Sequence, residues 1–300
     1  MDRVMIEQVR SFNRVVTQRA GALDDRFLAL GRPLGQSRLL WEIGAGGSDL
    51  RSLRSRLDLD SGYLSRLLGA LREQGMVTVE PSPRDGRVRT ARLTKRGLAE
   101  WAELDRRSGD LAASILAPLS TPQRGRLLAA MTEVQRLLAA SAVQIVTTDA
   151  RHPDARACLQ AYFQELSERF DEGFDPAQSS AGEAALVPPN GLVLLASLHG
   201  EPVGCGGLTF HYGPVPAIKR MWVSRSVRGL GLGRRLLAAL EERAAAHGAN
   251  LVRLETNRAL TEAIPLYRSS GYREIAPFND EKYAHHWFEK ALTPPTAPPG

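Results

Sequence analysis

The chain is poor in cysteine and has no long apolar run. Of its 300 residues only Cys158 and Cys205 are cysteines, and they lie far apart. Neither sits in a metal-ligand spacing, and so few cysteines fit a reducing, cytosolic compartment best. No run of about 18 apolar residues predicts a transmembrane helix, and the first residues lack the apolar core of a signal peptide. We therefore expect a cytoplasmic protein with no membrane partner.

Positive charge is concentrated in the first half of the chain. Residues 1–142 contain 23 Lys and Arg against 16 Asp and Glu, a net charge of +7, whereas the remainder contains 16 against 17, a net charge of −1. The chain is long enough for two domains with separate cores. The imbalance indicates that the first domain binds a polyanion and the second does not. From charge alone, an arginine-rich solvated surface is the alternative explanation.

The first half contains the pattern of a helix-turn-helix followed by a hairpin. Leucines recur at helical spacing over residues 49–57 and 61–74, and Gly75 ends the second helix. Small polar residues begin that second helix, as in a recognition helix. Residues 76–80 and 88–93 then read as two strands around a basic tip. The pattern predicts a mainly α winged helix-turn-helix domain.

This half resembles the MarR family of winged-helix regulators over roughly residues 5–140. The resemblance rests on three stretches, Leu71-Arg72-Glu73-Gln74-Gly75-Met76-Val77, Asp85-Gly86-Arg87 and Arg92-Leu93-Thr94-Lys95-Arg96-Gly97. It implies a homodimer, formed by the first and last helices, that binds a palindromic operator in double-stranded DNA. It also implies a small aromatic or phenolic effector, for which Phe12, Arg14 and Trp41 are residues of a suitable kind.

Two groups of residues are expected to contact DNA. Arg87 at the wing suits a narrow minor groove, where the negative potential is concentrated, and Asp85 is expected to hold a neighbouring arginine. Ser61 and Ser65 could reach phosphates or base edges, although a solvated surface position is their alternative. The full set is Ser61, Gly62, Tyr63, Ser65 and Arg66 on the second helix, with Arg84, Asp85, Arg87 and Arg89 at the wing.

A basic, glycine-rich turn joins a predicted strand to a predicted helix in the second half. The strand ends at residues 221–224, and the turn begins at Arg228. Gly231 and Gly233 let the backbone approach a ligand, and the helix N-terminus presents unpaired N–H groups. The turn therefore predicts an anion site for a phosphorylated cofactor. The spacing of a dinucleotide-binding fingerprint and the Gly-Lys-Ser/Thr of a P-loop are both missing.

The second half resembles the GNAT acyltransferases over about residues 143–291. The predicted order of elements is β-α-β-β-β-α-β-α-β-β. Three stretches carry the resemblance: the turn Arg228-x-x-Gly231-x-Gly233, then Leu254-Glu255-Thr256-Asn257, then Ala263-Ile264-Pro265-Leu266-Tyr267-Arg268-Ser269-Ser270-Gly271-Tyr272. The fold it implies is an α+β domain with a mixed, mostly antiparallel central sheet.

The GNAT resemblance also implies acetyl-CoA as co-substrate. Backbone N–H groups of the turn would bind the pyrophosphate, the strand before it would bind the pantetheine arm, and the Val223 N–H would polarise the thioester carbonyl. Asn257 would donate or accept a hydrogen bond at the cofactor. The expected cofactor-binding set is Met221, Trp222, Val223, Arg228, Gly229, Leu230, Gly231, Leu232, Gly233, Arg234 and Asn257.

Two residues are assigned to catalysis. Tyr267 matches the general acid of the family, which returns a proton to the departing thiolate. Glu255 is the first candidate for the base that deprotonates the amine, ahead of Glu201, His211 and His286, but a structural or amine-binding role fits Glu255 equally well. No metal is expected, because the adjacent His285 and His286 would point to opposite faces of a strand.

The sequence thus predicts a multidomain protein. Residues 1–142 form the MarR-like DNA-binding and dimerisation domain, residues 143–295 the GNAT domain, and residues 296–300 a tail. The predicted function is a ligand-responsive transcriptional regulator fused to an acetyl-CoA-dependent N-acetyltransferase, which acetylates a small amine or amino-acid-like substrate by direct attack on the thioester. In one alternative the GNAT domain senses acetyl-CoA or a metabolite without turnover. In another the winged helix is mainly a dimerisation scaffold for the enzyme.

Overall fold

The computed structural model describes residues 2–22, 28, 30–82, 86, 88–171, 173–179, 182–210 and 215–292. The chain divides into two compact units, Met1–Thr132 and Glu133–Gly300. The division falls earlier than the boundary predicted at residue 142, inside the last long helix of the first half. Within the described ranges, no helix is both long enough and apolar enough to span a bilayer.

The first unit is mainly helical. Its elements are α1 (Arg3–Arg19), α2 (Leu34–Ile43), β1 (Ser48–Asp49), α3 (Leu50–Leu57), α4 (Ser61–Glu73), β2 (Val77–Pro81), β3 (Arg89–Leu93), α5 (Lys95–Leu116) and α6 (Thr121–Ala142), whose last turns belong to the second unit. The strands pair in the order β1-β3-β2. This is the predicted winged helix-turn-helix arrangement.

Local capping explains where the two short helices begin and end. The carboxylate of Asp49 accepts from the Ser52 N–H at 2.9 Å, and that of Asp60 accepts from the Tyr63 N–H at 2.8 Å. Both residues therefore satisfy N–H groups that a helix start leaves unpaired. Gly75 follows α4 with φ +68°, the left-handed conformation that favours glycine. The side chains that face the core from α4 are those of Leu64, Leu67, Leu68 and Leu71, as their spacing predicted.

The second unit is a sheet with helices on both faces. Its elements are β4 (Gln144–Thr148), α7 (Pro153–Arg169), β5 (Gly191–Leu198), β6 (Glu201–Thr209), β7 (Ala217–Val223), α8 (Leu232–Ala246), β8 (Leu251–Thr256), α9 (Ala263–Ser269), β9 (Arg273–Ile275) and β10 (His286–Ala291). The strand order is β4-β5-β6-β7-β8-β10-β9. Only the β7–β8 pairing is parallel within the described part of this sheet, so the predicted mixed, mostly antiparallel sheet is confirmed.

Strand β5 shows why the sheet is covered on both faces. Its apolar residues are consecutive, and side chains alternate between the two faces of a strand. Leu192 and Leu194 pack in a cluster with α8, whereas Val193 and Leu195 pack in a second cluster with α7. The central strands of this unit are therefore held in place by packing on both faces of the sheet.

Candidate active site

A gap opens where β7 and β8 separate. The two strands pair only at Ala217 with Arg253 and at Ile218 with Leu254 in the described residues. Beyond these pairs β7 carries a bulge, because its register against β6 shifts and Arg220 adopts a φ of +54°. The last residues of β7 are thereby free of the parallel ladder, which leaves space between the two strands.

The glycine turn closes one end of this gap. Gly229 and Gly231 have φ values of +79° and +75°, and α8 begins at Leu232 without a side-chain cap at Gly231. The first N–H groups of α8 therefore have no partner from a capping side chain. A cleft of about 440 Å³ is lined by most of the predicted cofactor residues, namely Met221, Trp222, Val223, Arg228, Gly229, Gly231, Leu232, Gly233 and Arg234. Leu230 packs against the core, and Asn257 lines the neighbouring pocket.

The arginine side chains of the turn bind protein groups. Arg228 donates from Nη2 to both carboxylate oxygens of Glu165, at 2.7 and 2.6 Å, and from Nε to the Val223 carbonyl at 3.0 Å. Arg234 donates to the Ser269 hydroxyl at 3.0 Å. Burial raises the pKa of Glu165, but hydrogen bonds from Arg228, Trp222 and Arg169 outweigh it and hold that pKa below its usual range. These arginine side chains thus shape the turn through hydrogen bonds within the protein.

Two further arginines connect the turn and the start of α8 to the end of α6 and the residue that follows it. Arg136 donates from Nη2 to the Gly229 carbonyl at 3.1 Å, and Arg235 donates from Nη2 to the Val143 carbonyl at 2.8 Å. All four residues belong to the second unit. The contact of Arg136 with Gly229 could not be predicted from sequence, because 93 positions separate the two residues and no local motif includes Arg136.

Tyr267 lies on α9 and lines both this cleft and a smaller adjoining pocket. Its side chain is buried. Burial, and after it the charge of Glu255, raises the pKa of the Tyr267 phenol above its ordinary range. The phenol therefore keeps its proton at neutral pH and can serve as a proton donor.

The adjoining pocket, of about 90 Å³, contains Glu255 and Asn257. The carboxylate of Glu255 accepts a hydrogen bond from the Lys219 ammonium, a partner that the sequence did not indicate. The Asn257 amide donates to the Tyr283 carbonyl at 2.7 Å and its oxygen accepts from the Ala259 N–H at 2.8 Å. Asn257 therefore holds the loop before β10, and both ends of its amide already have a partner within the protein.

The other candidate bases lie elsewhere. Glu201 is the first residue of β6, and the Nδ1 atom of His286 is 2.7 Å from a Glu274 carboxylate oxygen. Neither lines the two pockets, and His211 is outside the described residues. Among the residues described, no group of three or more His, Cys, Asp or Glu side chains could hold a metal ion.

The recognition helix of the first unit exposes its predicted DNA-contacting residues. Ser61, Gly62, Tyr63, Ser65 and Arg66 are all exposed on α4, while the leucines of the same helix are buried. The Arg66 guanidinium stands 5.5 Å from the centroid of the Tyr63 ring. At the wing, Arg89 is exposed and donates to the Val79 carbonyl at 3.2 Å. The predicted contacts Arg84, Asp85 and Arg87 lie outside the described residues.

Comparison with known proteins gives a family to each half. The model of the acetyltransferase (GNAT) family matches residues 155–272, and the model of the MarR family matches residues 30–88. An IAA acetyltransferase of Azospirillum brasilense is 33% identical over 134 residues, which are 44% of this chain and 87% of that protein.

Two solved structures are similar to separate parts of the chain. A GNAT-family acetyltransferase from Staphylococcus aureus is 20% identical, with a TM-score of 0.43, and the match covers 51% of this chain and 100% of that one. The PcaV transcriptional regulator from Streptomyces coelicolor is 22% identical, with a TM-score of 0.36, over 43% of this chain and 94% of that one.

The chain belongs to the GNAT acetyltransferase family and carries a MarR-family winged-helix region ahead of the acetyltransferase domain. Proteins of the GNAT family use acetyl-CoA as co-substrate.

Proposed function

We propose that the second unit transfers an acetyl group from acetyl-CoA to the primary amine of a small molecule. One observation carries the proposal: the gap beyond the β7–β8 pairing, the uncapped start of α8 and the phenol of Tyr267 all border one cleft. These are the three features that a thioester needs, namely space for the pantetheine arm, N–H donors for phosphates and a proton donor for the leaving group.

In this proposal the amine nitrogen attacks the thioester carbonyl directly. The C–N bond forms, the C–S bond breaks, and the departing thiolate takes a proton from Tyr267. The N–H of Val223 stabilises the charge that develops on the carbonyl oxygen. Glu255 is proposed to accept the proton that the amine loses. The N–H groups at the start of α8 hold the pyrophosphate, as the helix dipole favours.

The test is an acceptor screen with the full chain. Acetyl-CoA is incubated with a panel of primary amines and amino acids, and the free thiol of CoA is measured. We expect thiol release that requires both acetyl-CoA and an amine. Acetyl-CoA binding without amine-dependent thiol release, across the panel, would contradict the proposal.

The ion pair of Glu255 favours a second candidate, in which the domain senses acetyl-CoA or a metabolite without turnover. Glu255, the first candidate for the base, is already paired with Lys219, and both side chains are buried. A sensor would bind acetyl-CoA and change the DNA affinity of the chain without releasing thiol. Titrating DNA binding with acetyl-CoA in the presence and absence of an amine separates the two candidates.

We also propose that the first unit binds a palindromic operator as a homodimer and responds to a small aromatic or phenolic effector. Helix α1 supports the dimer, because none of its residues is buried and it exposes the apolar side chains of Val4, Met5, Ile6, Val9, Phe12, Val15 and Val16. Sedimentation equilibrium of the full chain and of a Val9→Glu variant tests this. We expect a dimer that the variant weakens, whereas a monomeric full chain would contradict it.

A further inference from the structure

The cleft that the glycine turn and Tyr267 line is called the acyl cleft below. The smaller pocket that adjoins it is walled by aromatic rings. Tyr162 and Phe163 come from α7, Phe170 follows that helix, Phe174 lies a few residues later, and Tyr283 precedes β10. Ring centroids are 5.6 Å apart for Phe163 and Phe174, 4.8 Å for Phe174 and Tyr283, and 5.8 Å for Phe170 and Tyr283. Aromatic residues make up only 6% of the chain, so this concentration in one pocket points to a ligand.

The segment that carries Phe174 is held over the pocket by hydrogen bonds. The Asp175 N–H donates to the Tyr283 hydroxyl at 3.0 Å, and the Ser179 hydroxyl donates to the Glu281 carboxylate at 3.3 Å. The Lys282 ammonium also donates to the side chain of Gln178. The ring wall is therefore formed before any acceptor enters, which lowers the ordering cost of binding.

The charges around the wall disfavour a polycationic acceptor. Lys219 and Glu255 neutralise one another at the pocket. The Arg220 guanidinium stands 5.2 Å from the centroid of Phe163, and the Lys282 ammonium stands 5.5 Å from that of Tyr283. The pocket lining contains the cations of Lys219 and Arg220 and the carboxylates of Glu255 and Glu281. It therefore carries no net negative charge to hold the several positive charges of a polycation.

We propose that the acceptor is an aromatic primary amine, whose ring packs among Phe163, Phe170, Phe174 and Tyr283 while its nitrogen reaches Tyr267. This inference rests on the proposed acetyltransferase function. The pocket and the acyl cleft meet at Tyr267, which lines both. A ring inserted into the wall therefore places a short amine arm at the thioester.

Ring geometry supports this class of acceptor. The pocket of about 90 Å³ is smaller than an apolar cavity of roughly 150 Å³ that binds benzene, so the acceptor must also occupy part of the adjoining cleft, with which the pocket shares Met221, Leu260 and Tyr267. Aromatic pairs prefer offset or edge-to-face contacts with centroids about 4.5–7 Å apart. The rings of the wall already lie at such spacings, so an added ring would extend the same packing.

The test compares two amines that differ in the ring alone. 2-Phenylethylamine and 2-cyclohexylethylamine have the same arm and amine, but only the first has a planar aromatic ring. Initial rates of thiol release are measured for each at saturating acetyl-CoA, with spermidine as the polycation. We expect kcat/KM to be at least about tenfold higher for 2-phenylethylamine than for 2-cyclohexylethylamine, and lower still for spermidine.

Variants of the wall show whether the rings themselves recognise the acceptor. Phe170→Leu and Phe174→Leu should raise the KM for 2-phenylethylamine and bring the phenyl-to-cyclohexyl ratio of kcat/KM close to one, with the KM for acetyl-CoA unchanged. If the rings had only a structural role, kcat/KM would fall equally for both amines and their ratio would not change. Phe278→Leu is the matched control, because that half-buried ring packs by Arg253 and lies outside the pocket lining.

A binding measurement separates failure of this inference from failure of the proposed function. The full chain loaded with CoA is titrated calorimetrically with each amine. If no amine is acetylated, the proposed function fails, yet binding of 2-phenylethylamine at least about tenfold tighter than that of 2-cyclohexylethylamine still supports an aromatic site. Equal affinities, equal kcat/KM values or a preference for spermidine would overturn the inference.

Discussion

The ammonium of Lys219 donates a hydrogen bond to the carboxylate of Glu255 beside the gap where β7 and β8 separate. Both side chains are only 7% exposed. Removing two charges from water is costly, and their mutual attraction offsets that cost only while both are present. The pair therefore ties the candidate base to the stability of the domain, so activity and folding must be measured together.

Neutralising one member of the pair should destabilise the domain more than neutralising both. Glu255→Gln or Lys219→Met alone should lower the free energy of unfolding by about 3–5 kcal/mol, because each leaves an uncompensated buried charge. The double variant should recover most of this loss. Denaturant unfolding of the three variants checks the cycle, and simple addition of the two single effects would contradict the pairing. Thiol release by the folded double variant then decides the role of Glu255, since retained turnover would exclude it as the base.

Tyr267→Phe should lower turnover far more than cofactor affinity. Loss of a general acid costs roughly 100-fold or more in rate, while the ring still fills its place on α9. Steady-state thiol release and the Kd for acetyl-CoA measure the two effects. Tyr272→Phe is the matched control, because its ring centroid lies 5.9 Å from that of Tyr267 but Tyr272 does not line the cleft. An equal loss in both variants would remove the acid role from Tyr267.

The pH profile gives a separate check on the same phenol. Proton donation requires the protonated form, which is present below its pKa, and burial raises the pKa of Tyr267 above the ordinary value of about 10. Turnover should therefore not fall through loss of this proton as pH rises from about 7 to about 10. If turnover declined between these pH values, and the decline were absent in Tyr267→Phe, the phenol would ionise at a lower pH than its burial implies.

The order of elements could be predicted from sequence because its signals are local. The leucines of α4 recur at helical spacing, the consecutive apolar residues of β5 are typical of a buried strand, and Gly75 marks a helix end by its own conformation. The contact between the last turns of α6 and the glycine turn, made by Arg136 and Gly229, has no local signal in the sequence.

The site was predictable only in its contiguous part. The glycine turn and the start of α8 follow one another in the chain, so their spacing alone indicated an anion site. The partner of Arg228 lies 63 positions away at Glu165, and Phe174 meets Tyr283 across 109 positions. No periodicity links such residues, which is why the ion pairs and the ring wall emerged only with the fold.

Gly231→Val should weaken acetyl-CoA binding through the backbone. Gly231 has φ +75°, and a Cβ there would meet no protein atom within 4 Å, so the variant changes the turn conformation and intrudes on the ligand rather than on the core. We expect the Kd for acetyl-CoA to rise by at least roughly tenfold, measured by calorimetry. Gly248→Val is the control, because Gly248 has φ +85° and equally open surroundings just past the other end of α8. If both variants weakened binding equally, strain in α8 would be the cause and the turn would lose its assigned role.

DNA binding by the first unit should weaken steeply with salt. Each phosphate neutralised by a basic side chain releases a counterion, so log K falls linearly with log salt with a slope of about −0.9 per contact. This term does not depend on sequence, and a random-sequence duplex with fluorescence anisotropy is sufficient to measure it. Arg66→Ala should reduce the slope by about 1, because Arg66 is exposed on α4.

Arg106→Ala is the control for the salt experiment. Arg106 lies on α5, is exposed, and binds Glu103 and Asp110 at 2.8 and 2.7 Å, so its charge is already balanced within the same helix. Its removal should leave the slope unchanged. If Arg66→Ala and Arg106→Ala altered the slope equally, the effect would come from net charge and not from α4. A flat salt response of the unmodified chain would contradict phosphate contacts altogether, and the exposed α4 would then belong to a scaffold rather than to a DNA-binding surface.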